Sequence, residues 1–400
     1  MDLGQFTAGI LSGAVLAAAA GLYTLSVAAF LILENWHPQS TFAWFFVLWL
    51  FPAGGLRFAV AATTALVRGD RPASFQPTVQ SALPERLERY LAAVVRPSQS
   101  ERTQLMAGAP ITKLLDSDPS REVAVFGAVW IKASPARYVE AVKDIENFER
   151  GRAFRVTKCI SSRPRLEDFA QLTLPDDDVG DLKSCRVGDC EIKLSAQALQ
   201  RLRAEVDWKS PTATADAQTA FRRLAFEYVN GYREGGNARL AVYRDNARPT
   251  FVADEFRSLI ERMPALATGL PDLRCYLLEY PAASLPGSTE FLYWQETEFG
   301  LKPTIRISHV VIQERSELTV VASKMLYASH YFWTALEIRM LMPDPTRGPG
   351  FWFVTVNRSR SDGLSGFVGC IIRDRVRSEV QKGTSAALTA TKANLETEAR

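Results

Sequence analysis

Residues 122–132 read Glu-Val-Ala-Val-Phe-Gly-Ala-Val-Trp-Ile-Lys, and Ser134 and Pro135 follow after one further residue. The run is rich in β-branched and aromatic residues, which is typical of a β-strand. A serine followed by a proline is a common helix opening, because the serine caps the helix and the fixed φ of proline suits its first position. The pattern therefore predicts a strand that leads directly into a helix, with Tyr138 and Val142 on the buried side of that helix.

After this strand and helix, the spacing of apolar residues along the sequence changes twice. Apolar stripes at helical spacing over residues 176–265 predict a mainly helical insertion. Strand-like runs then occur at 273–280, 289–296, 304–314, 318–342 and 350–360, and a helical pattern runs from 364 to about 397. We therefore predict an α+β domain over 121–400, with an antiparallel sheet and a long C-terminal helix. A linker with a short helix is predicted over 68–120.

Residues 318–333 lack the alternation that a half-exposed strand shows. Val320 and Val321 are both apolar, and large aromatic side chains follow on both sides of the chain. Successive residues of a strand point to opposite faces. Both faces of this strand therefore need a cover, which we expect from the C-terminal helix on one side and from the helical insertion or a ligand on the other.

This order of elements resembles that of helix-grip domains of the START/polyketide-cyclase-like superfamily. The resemblance is carried by the strand at 122–132, the helix opened by Ser134 and Pro135, the strands from 304 to 360 and the helix after Gly363. It implies a curved sheet that grips the long helix. It also implies an apolar cavity between the two, which would hold a lipid or another hydrophobic molecule.

Two long apolar stretches, at about 6–33 and 42–67, stand at the beginning of the sequence. Each of them exceeds the roughly 20 apolar residues with which a helix crosses a bilayer. The connection at 34–40 is too short for anything but a turn between antiparallel helices. The sequence therefore predicts a transmembrane helical hairpin over residues 1–67, in the manner of a bacterial-type membrane protein.

Small residues recur at every fourth position of the first apolar stretch, at Gly9, Gly13, Ala17 and Gly21. A helix face without bulky side chains allows another transmembrane helix to approach closely. These four residues are therefore predicted to pack against a partner transmembrane helix. The alternative is that Ala and Gly are simply frequent in membrane helices.

The positions of the basic residues predict the orientation of the hairpin. Arg68 and Arg71 follow the second apolar stretch, whereas the connection at 34–40 has no Lys or Arg. The positive-inside rule then predicts an integral membrane protein whose remaining chain is cytoplasmic. A disulfide between Cys185 and Cys190 would favour the alternative, a periplasmic domain.

No common catalytic, metal-binding or nucleotide-binding motif occurs in the sequence, so no catalytic residue, metal ligand or cofactor is predicted. The 47 basic and 44 acidic residues give a formal net charge of +3, which provides no strong attraction to nucleic acid. Asp176, Asp177 and Asp178 could suggest a cation site. Since consecutive acids project in different directions, we interpret them as a solvated turn.

Two clusters are candidates for ligand binding. The first, Tyr327, His330, Tyr331 and Phe332, would line a cavity and offer polar groups to its contents. The alternative for His330 is a core histidine satisfied by a neighbour.

The second cluster is Arg358 and Arg360, which share a face at the end of the last predicted strand. They could hold a phosphate or carboxylate head group. The alternative is structural pairing with Asp362 or with Glu296 and Glu298.

These patterns together predict a membrane-anchored, non-enzymatic domain that binds a lipid or another hydrophobic ligand, with membrane lipids as its partners. The alternative is an accessory or scaffold subunit of a larger membrane protein complex, with no ligand of its own. An enzyme is the third possibility, because a START-like cavity can host catalysis. No motif in this sequence supports it.

Overall fold

The structure, a computed structural model, describes residues 83–150, 154–299, 302–364 and 366–397. They belong to one compact unit that spans Gln80–Arg400. A large antiparallel sheet and a long C-terminal helix dominate this unit. The predicted α+β class, the antiparallel sheet and the long C-terminal helix are thus confirmed.

Ten strands occur in the described residues. They are β1 (Ile111–Leu114), β2 (Glu122–Ile131), β3 (Phe154–Ile160), β4 (Val242–Tyr243), β5 (Thr250–Phe251), β6 (Ser288–Phe299), β7 (Lys302–Arg315), β8 (Leu318–Ala328), β9 (Phe332–Pro343) and β10 (Phe351–Ser361). Eight of them form one sheet in the order β1-β2-β10-β9-β8-β7-β6-β3, while β4 and β5 pair separately. The long strand β2 therefore pairs with the last strand, from Ile131 opposite Phe351 to Glu122 opposite Arg360.

The helices of the described residues lie before, between and after these strands. They are α1 (Glu85–Tyr90, continued by a π-helical turn at Leu91–Val95), α2 (Gln99–Met106), α3 (Pro135–Lys143), α4 (Ile145–Phe148), α5 (Asp176–Leu182), α6 (Ala196–Glu205), α7 (Ala213–Gly235), α8 (Val252–Glu261), α9 (Pro264–Gly269), α10 (Pro271–Glu279) and α11 (Gly366–Thr397). Short 3-10 helices occur at Leu166–Phe169 and Gly236–Arg239. The strand predicted at 273–280 is wrong, because this segment forms α10, which Pro271 opens and which buries Leu273, Tyr276 and Leu277 at helical spacing. The Ser134 hydroxyl accepts a hydrogen bond from the backbone N–H of Arg137, so the predicted opening of α3 is confirmed.

One face of the sheet is covered by α3, α4 and α11. Val129, Val321 and Leu341 of this face form one buried cluster with Tyr138 of α3 and Leu388 of α11. The C-terminal helix lies against β1 and β2, whereas α3 covers the middle strands. Since α11 packs directly on β2, the sheet and this helix form a continuous core at that place.

The other face of the sheet is covered by α1 and by the helices between β3 and β6. Buried strand residues such as Ala322, Leu326 and Trp352 form one cluster with Phe221 of α7 and Phe256 of α8. Each fully buried Leu or Phe contributes about 1.5–3 kcal/mol to folding. Nearly every residue of β8 is buried, as the lack of alternation over 318–333 predicted, and every residue of β2 is buried as well.

The described part of the range 68–120 also belongs to this unit. Leu87 and Leu91 lie one helical turn apart and are buried against the sheet. The strand β1 pairs with β2, from Ile111 opposite Ala128 onward. A segment that the sequence assigned to a linker and a short helix therefore supplies two helices and an edge strand.

The predicted membrane and transmembrane character needs correction. In the part of the chain that the structure describes, no helix is both long and apolar enough to cross a bilayer, which contradicts the predicted integral membrane placement. The longest helix, α11, has 32 residues but carries charged side chains along its length. The predicted hairpin at 1–67 lies outside the described residues, as do Gly9, Gly13, Ala17 and Gly21.

The contact between β2 and α11 can be tested at Gly127. A Cβ atom there would lie 2.8 Å from Leu388 Cδ1 and 3.1 Å from Thr384 Cγ2. We expect Gly127→Val to lower the free energy of unfolding by about 1–3 kcal/mol, because the added atoms overpack this junction. Urea denaturation followed by circular dichroism measures the change.

Gly383 of α11 provides the control, because a Cβ atom there would meet nothing within 4 Å. Gly383→Ala should raise the free energy of unfolding by about 0.5–1 kcal/mol through helix propensity. Equal stability of Gly127→Val and the wild type would contradict the close packing of α11 on β2.

Candidate functional site

A cleft of about 290 Å³ lies between α6, α7 and the strands β7 and β8. Phe221 and Leu224 of α7 and Tyr243 of β4 line it on the helical side, and Ile307 and Tyr327 form its floor on the sheet. We name it the Tyr327 cleft.

Tyr327 lines this cleft on the side of the sheet. The residue is 7% exposed, and its hydroxyl oxygen, which is closed to solvent, has no hydrogen-bond partner among the described residues. The rings of Tyr228 and Tyr243 pack edge-on against it, with centroid distances of 6.2 and 6.1 Å. Burial raises the pKa of Tyr327 well above its usual value, so the hydroxyl keeps its proton and remains a donor.

The rim of the Tyr327 cleft is polar. Arg201 of α6 binds Glu227 of α7 and lies 3.1 Å from Glu205. Arg239, which is exposed, also lines the cleft. The cleft thus combines an apolar interior, one buried hydroxyl donor and a charged rim, as small-molecule sites commonly do.

His330 lies outside the lining of this cleft. Its Nε2 atom is 2.9 and 3.0 Å from the two carboxylate oxygens of Asp178, and its Nδ1 atom is 3.1 Å from the carbonyl oxygen of Glu191. His330 is therefore a core histidine satisfied by neighbours, which was the alternative interpretation. Asp178 is 1% exposed, so the solvated turn predicted for the acidic run is wrong at this residue.

Tyr331 and Phe332 also lie apart from Tyr327. Tyr331 has φ of 59° in the turn between β8 and β9, and its hydroxyl accepts a hydrogen bond from the N–H of Lys302. Phe332 packs against Met325 in a small separate cluster. Because β8 ends at Ala328, the alternation of a strand does not extend through this turn. Of the four predicted aromatic-cluster residues, only Tyr327 lines the cleft.

The two candidate arginines are engaged within the protein. Arg358 is 5% exposed, binds the carboxylate of Glu122 and donates to the carbonyl oxygen of Asp116. Arg360 is equally buried, and its Nε atom lies 2.8 Å from Glu255 of α8. Burial raises the pKa of Glu122 although both arginines oppose that shift. The predicted structural pairing is present, but its carboxylates are not the ones that the sequence indicated.

A cluster of titratable residues that the sequence analysis did not identify lies elsewhere on this face of the sheet. Lys324 of β8 is 1% exposed, and its Nζ atom donates to the side-chain oxygen of Asn237. The same atom lies 4.2 Å from the ring centre of Phe256 and 5.2 Å from that of Tyr232. Among the described residues no carboxylate lies within ion-pair distance of it, and burial lowers the pKa of Lys324 to about 7.

His309 is the cross-strand neighbour of Lys324. Its Nδ1 atom is 2.9 Å from the Tyr232 hydroxyl, and its Nε2 atom is 3.2 Å from Glu290. Burial lowers the pKa of His309, which keeps the imidazole neutral near pH 7. The hydrogen bond to His309 is the main cause that lowers the pKa of Glu290 to about 2, with Tyr276 as a second donor.

A sequence signal for Lys324 does exist. Val320, Ala322, Lys324 and Leu326 alternate along one face of β8, so a single lysine interrupts an otherwise apolar row. A lysine in such a row is buried whenever the opposite layer covers it, and buried lysines are among the groups with strongly shifted pKa values. The apolar residues of 318–333 predicted that both faces of this strand are buried, but they did not single out Lys324 as a functional residue.

Two further observations bear on chemistry. Cys185 and Cys190 form a disulfide, which the sequence had left open. No group of three or more His, Cys, Asp or Glu side chains in the described part of the chain is arranged to hold a metal ion.

No known protein-family model matches this sequence, and no curated protein is similar enough to count as a relative. The function is therefore argued from the arrangement of the side chains alone.

The buried state of Lys324 has a measurable consequence for stability. Below pH 7 Lys324 is protonated in both the folded and the unfolded chain. The full free-energy cost of burying its charge then lowers the stability of the folded protein. Between pH 7 and the usual lysine value of 10.5 the folded protein releases the proton while the unfolded chain keeps it. Within this range the deprotonation of Lys324 therefore raises the free energy of unfolding by about 1.4 kcal/mol per pH unit.

We expect Lys324→Met to remove this pH dependence. Urea unfolding between pH 7 and 9.5, below the range in which tyrosines titrate, should show the wild type gaining stability relative to the variant as the pH rises. The exposed Lys209 provides the control, since Lys209→Met should follow the wild type. Parallel pH profiles for the wild type and Lys324→Met would contradict a lysine that titrates near 7.

Proposed function

We propose that this domain binds a small apolar molecule carrying one hydrogen-bond acceptor, such as a lipid-derived ketone or ester, in the Tyr327 cleft. The observation that supports the proposal is Tyr327, which lines an apolar cleft and whose buried hydroxyl has no hydrogen-bond partner among the described residues. A buried polar group without a partner costs about 1–3 kcal/mol. A ligand whose acceptor reaches this hydroxyl, after a small shift of the side chains that close it off, would remove that cost.

The size of the cleft narrows the class of ligand. Its volume of about 290 Å³ stands at the lower end of the range for small-molecule sites, which is about 300–1,000 Å³. A short chain or a molecule with one or two rings is therefore favoured over a complete two-chain lipid. The polar rim near Arg201 and Arg239 would remain in contact with water.

We further propose that the sheet and α11 represent a helix-grip type of fold. The support is the element order, in which β2, α3 and α4 precede the strands and α11 ends the domain, together with the pairing of β2 and β10. The proposed ligand site differs from the cavity that this resemblance implies. It lies on the sheet face that the helices α6 and α7 cover, whereas α11 packs on the other face.

The proposal can be tested with 6-propionyl-2-dimethylaminonaphthalene, an apolar fluorophore with a single ketone whose emission reports hydrogen bonding to that ketone. We expect saturable binding to the wild type. Tyr327→Phe should weaken binding about 10-fold, because the donor is lost, and should shift the emission to the blue. The same variant should unfold at higher urea concentration, because an unpaired buried hydroxyl has been removed.

Two variants complete the test. Leu224→Trp should abolish binding, because the indole fills the cleft. Tyr293→Phe, at a buried tyrosine on the opposite face of the sheet, should bind as the wild type does. If the wild type shows no saturable binding, or if Leu224→Trp binds as well as the wild type, the cleft is not a ligand site and a role without a ligand of its own is favoured.

A further inference from the structure

A second cleft, of about 360 Å³, lies where the end of α7, the helix α8 and the segment after α10 meet. Asn237, Phe256, Leu278, Tyr280 and Pro281 form part of its lining. The lining contains no residue of the Tyr327 cleft. We name it the Asn237 cleft.

Lys324 lies directly behind the wall of the Asn237 cleft. Its Nζ atom donates to Asn237 and lies 4.2 Å from the ring centre of Phe256, and both of these residues line the cleft. A single layer of side chains therefore separates the amine from the space in the cleft. The amine itself is buried among aromatic rings.

The backbone around Asn237 fixes the side chain that contacts the amine. Gly236 has φ of 56°, and a Cβ atom there would lie 1.8 Å from the carbonyl oxygen of Tyr280, so only glycine fits. The Asn237 amide nitrogen donates to the carbonyl oxygens of Leu277 and Leu278. Its side-chain oxygen is thereby turned toward Lys324.

Lys193 is a second buried lysine, and its ion pairs give it an ordinary structural role. Lys193 is 3% exposed, and its Nζ atom pairs with Asp245 at 2.8 Å and also with Asp362. Two carboxylates balance its charge. Lys324 is buried to a similar degree, and its contacts among the described residues are an amide oxygen and two aromatic rings, with no carboxylate. The ring faces attract a cation, but burial without a carboxylate disfavours the charged form more strongly and so favours the neutral, nucleophilic amine.

We propose that Lys324 is a covalent binding site for a small aldehyde or ketone that enters through the Asn237 cleft. The nitrogen lone pair attacks the carbonyl carbon, and the nitrogen loses a proton as the carbonyl oxygen gains one. The resulting carbinolamine loses water and leaves a C=N bond between Nζ and the former carbonyl carbon. No oxidant or reductant takes part, and hydrolysis reverses the step.

The neighbouring residues suit this chemistry. The apolar surroundings of Nζ keep the amine free of a counter-charge. The ring of Tyr232, on α7, lies 5.2 Å from Nζ, and His309 is the cross-strand neighbour of Lys324. The Tyr232 hydroxyl and His309 Nδ1 are 2.9 Å apart, and His309 Nε2 lies 3.2 Å from Glu290, which is partly exposed.

Reductive alkylation tests the proposal on the folded protein. The full chain is incubated at pH 7 with propanal and sodium cyanoborohydride, and the modified lysines are located by peptide mass spectrometry over time. With a pKa of about 7, about half of the Lys324 amines are neutral at this pH, roughly a thousandfold more than for an ordinary lysine. We expect Lys324 to be propylated at least as fast as the exposed Lys209, while Lys193 stays unmodified.

Two outcomes would overturn the proposal. One is modification of Lys209 without modification of Lys324, which would show that the amine is closed to carbonyl compounds. The other is modification of Lys324 only together with Lys193, which would show that reaction follows general opening of the domain. Circular dichroism of the treated sample checks that the fold persists.

Variants of the two clefts locate the route of entry. Asn237→Ala removes the side chain between the amine and its cleft, so the rate at Lys324 should rise several-fold. Leu224→Ala widens the Tyr327 cleft by a similar amount and should leave that rate unchanged. An equal rise in both variants would contradict entry through the Asn237 cleft. Lys324→Arg, which keeps the charge but lacks the amine, should show no product at this position.

Discussion

The burial of the sheet on both faces is the constraint on which the rest of this structure depends. Once α3 and α11 cover one face and α7 and α8 the other, a polar side chain on a middle strand has no access to water. Burying a charge without a partner is costly, so such residues need partners inside the protein. Most of them have one, and the pairs include Arg358 with Glu122, Arg360 with Glu255, Arg339 with Glu337 and His309 with Glu290.

Tyr327 and Lys324 differ from these residues, and both lie on β8. Among the described residues the hydroxyl of Tyr327 has no hydrogen-bond partner, and the amine of Lys324 contacts an amide oxygen but no carboxylate. Each of them lies at or directly behind a cleft under the helical layer. Incomplete satisfaction of a buried polar group is tolerated where a ligand or a reaction compensates for it. The two proposed sites follow from this one physical criterion.

The helical layer between β3 and β6 explains why the sites lie where they do. The resemblance to helix-grip domains implies a cavity between the sheet and the C-terminal helix, but Leu388 of α11 packs closely on β2. The opposite face is covered by several separate helices, which include α6, α7 and α8. Gaps are easier to leave under such a layer than under one continuous helix, and both clefts lie there.

The sequence by itself determined the α+β class, the strand and helix around Ser134, the long C-terminal helix and the burial of residues 318–328 on both faces. These follow from local spacing, capping and composition. The partners of the polar residues were decided only in three dimensions, because they come from distant parts of the chain: 236 positions separate Arg358 from Glu122, and 152 separate His330 from Asp178. Local periodicity carries no information about such pairs. For the same reason only the tertiary structure could distinguish Lys193, which pairs with two carboxylates, from Lys324, which has none beside it in the part of the chain that the structure describes.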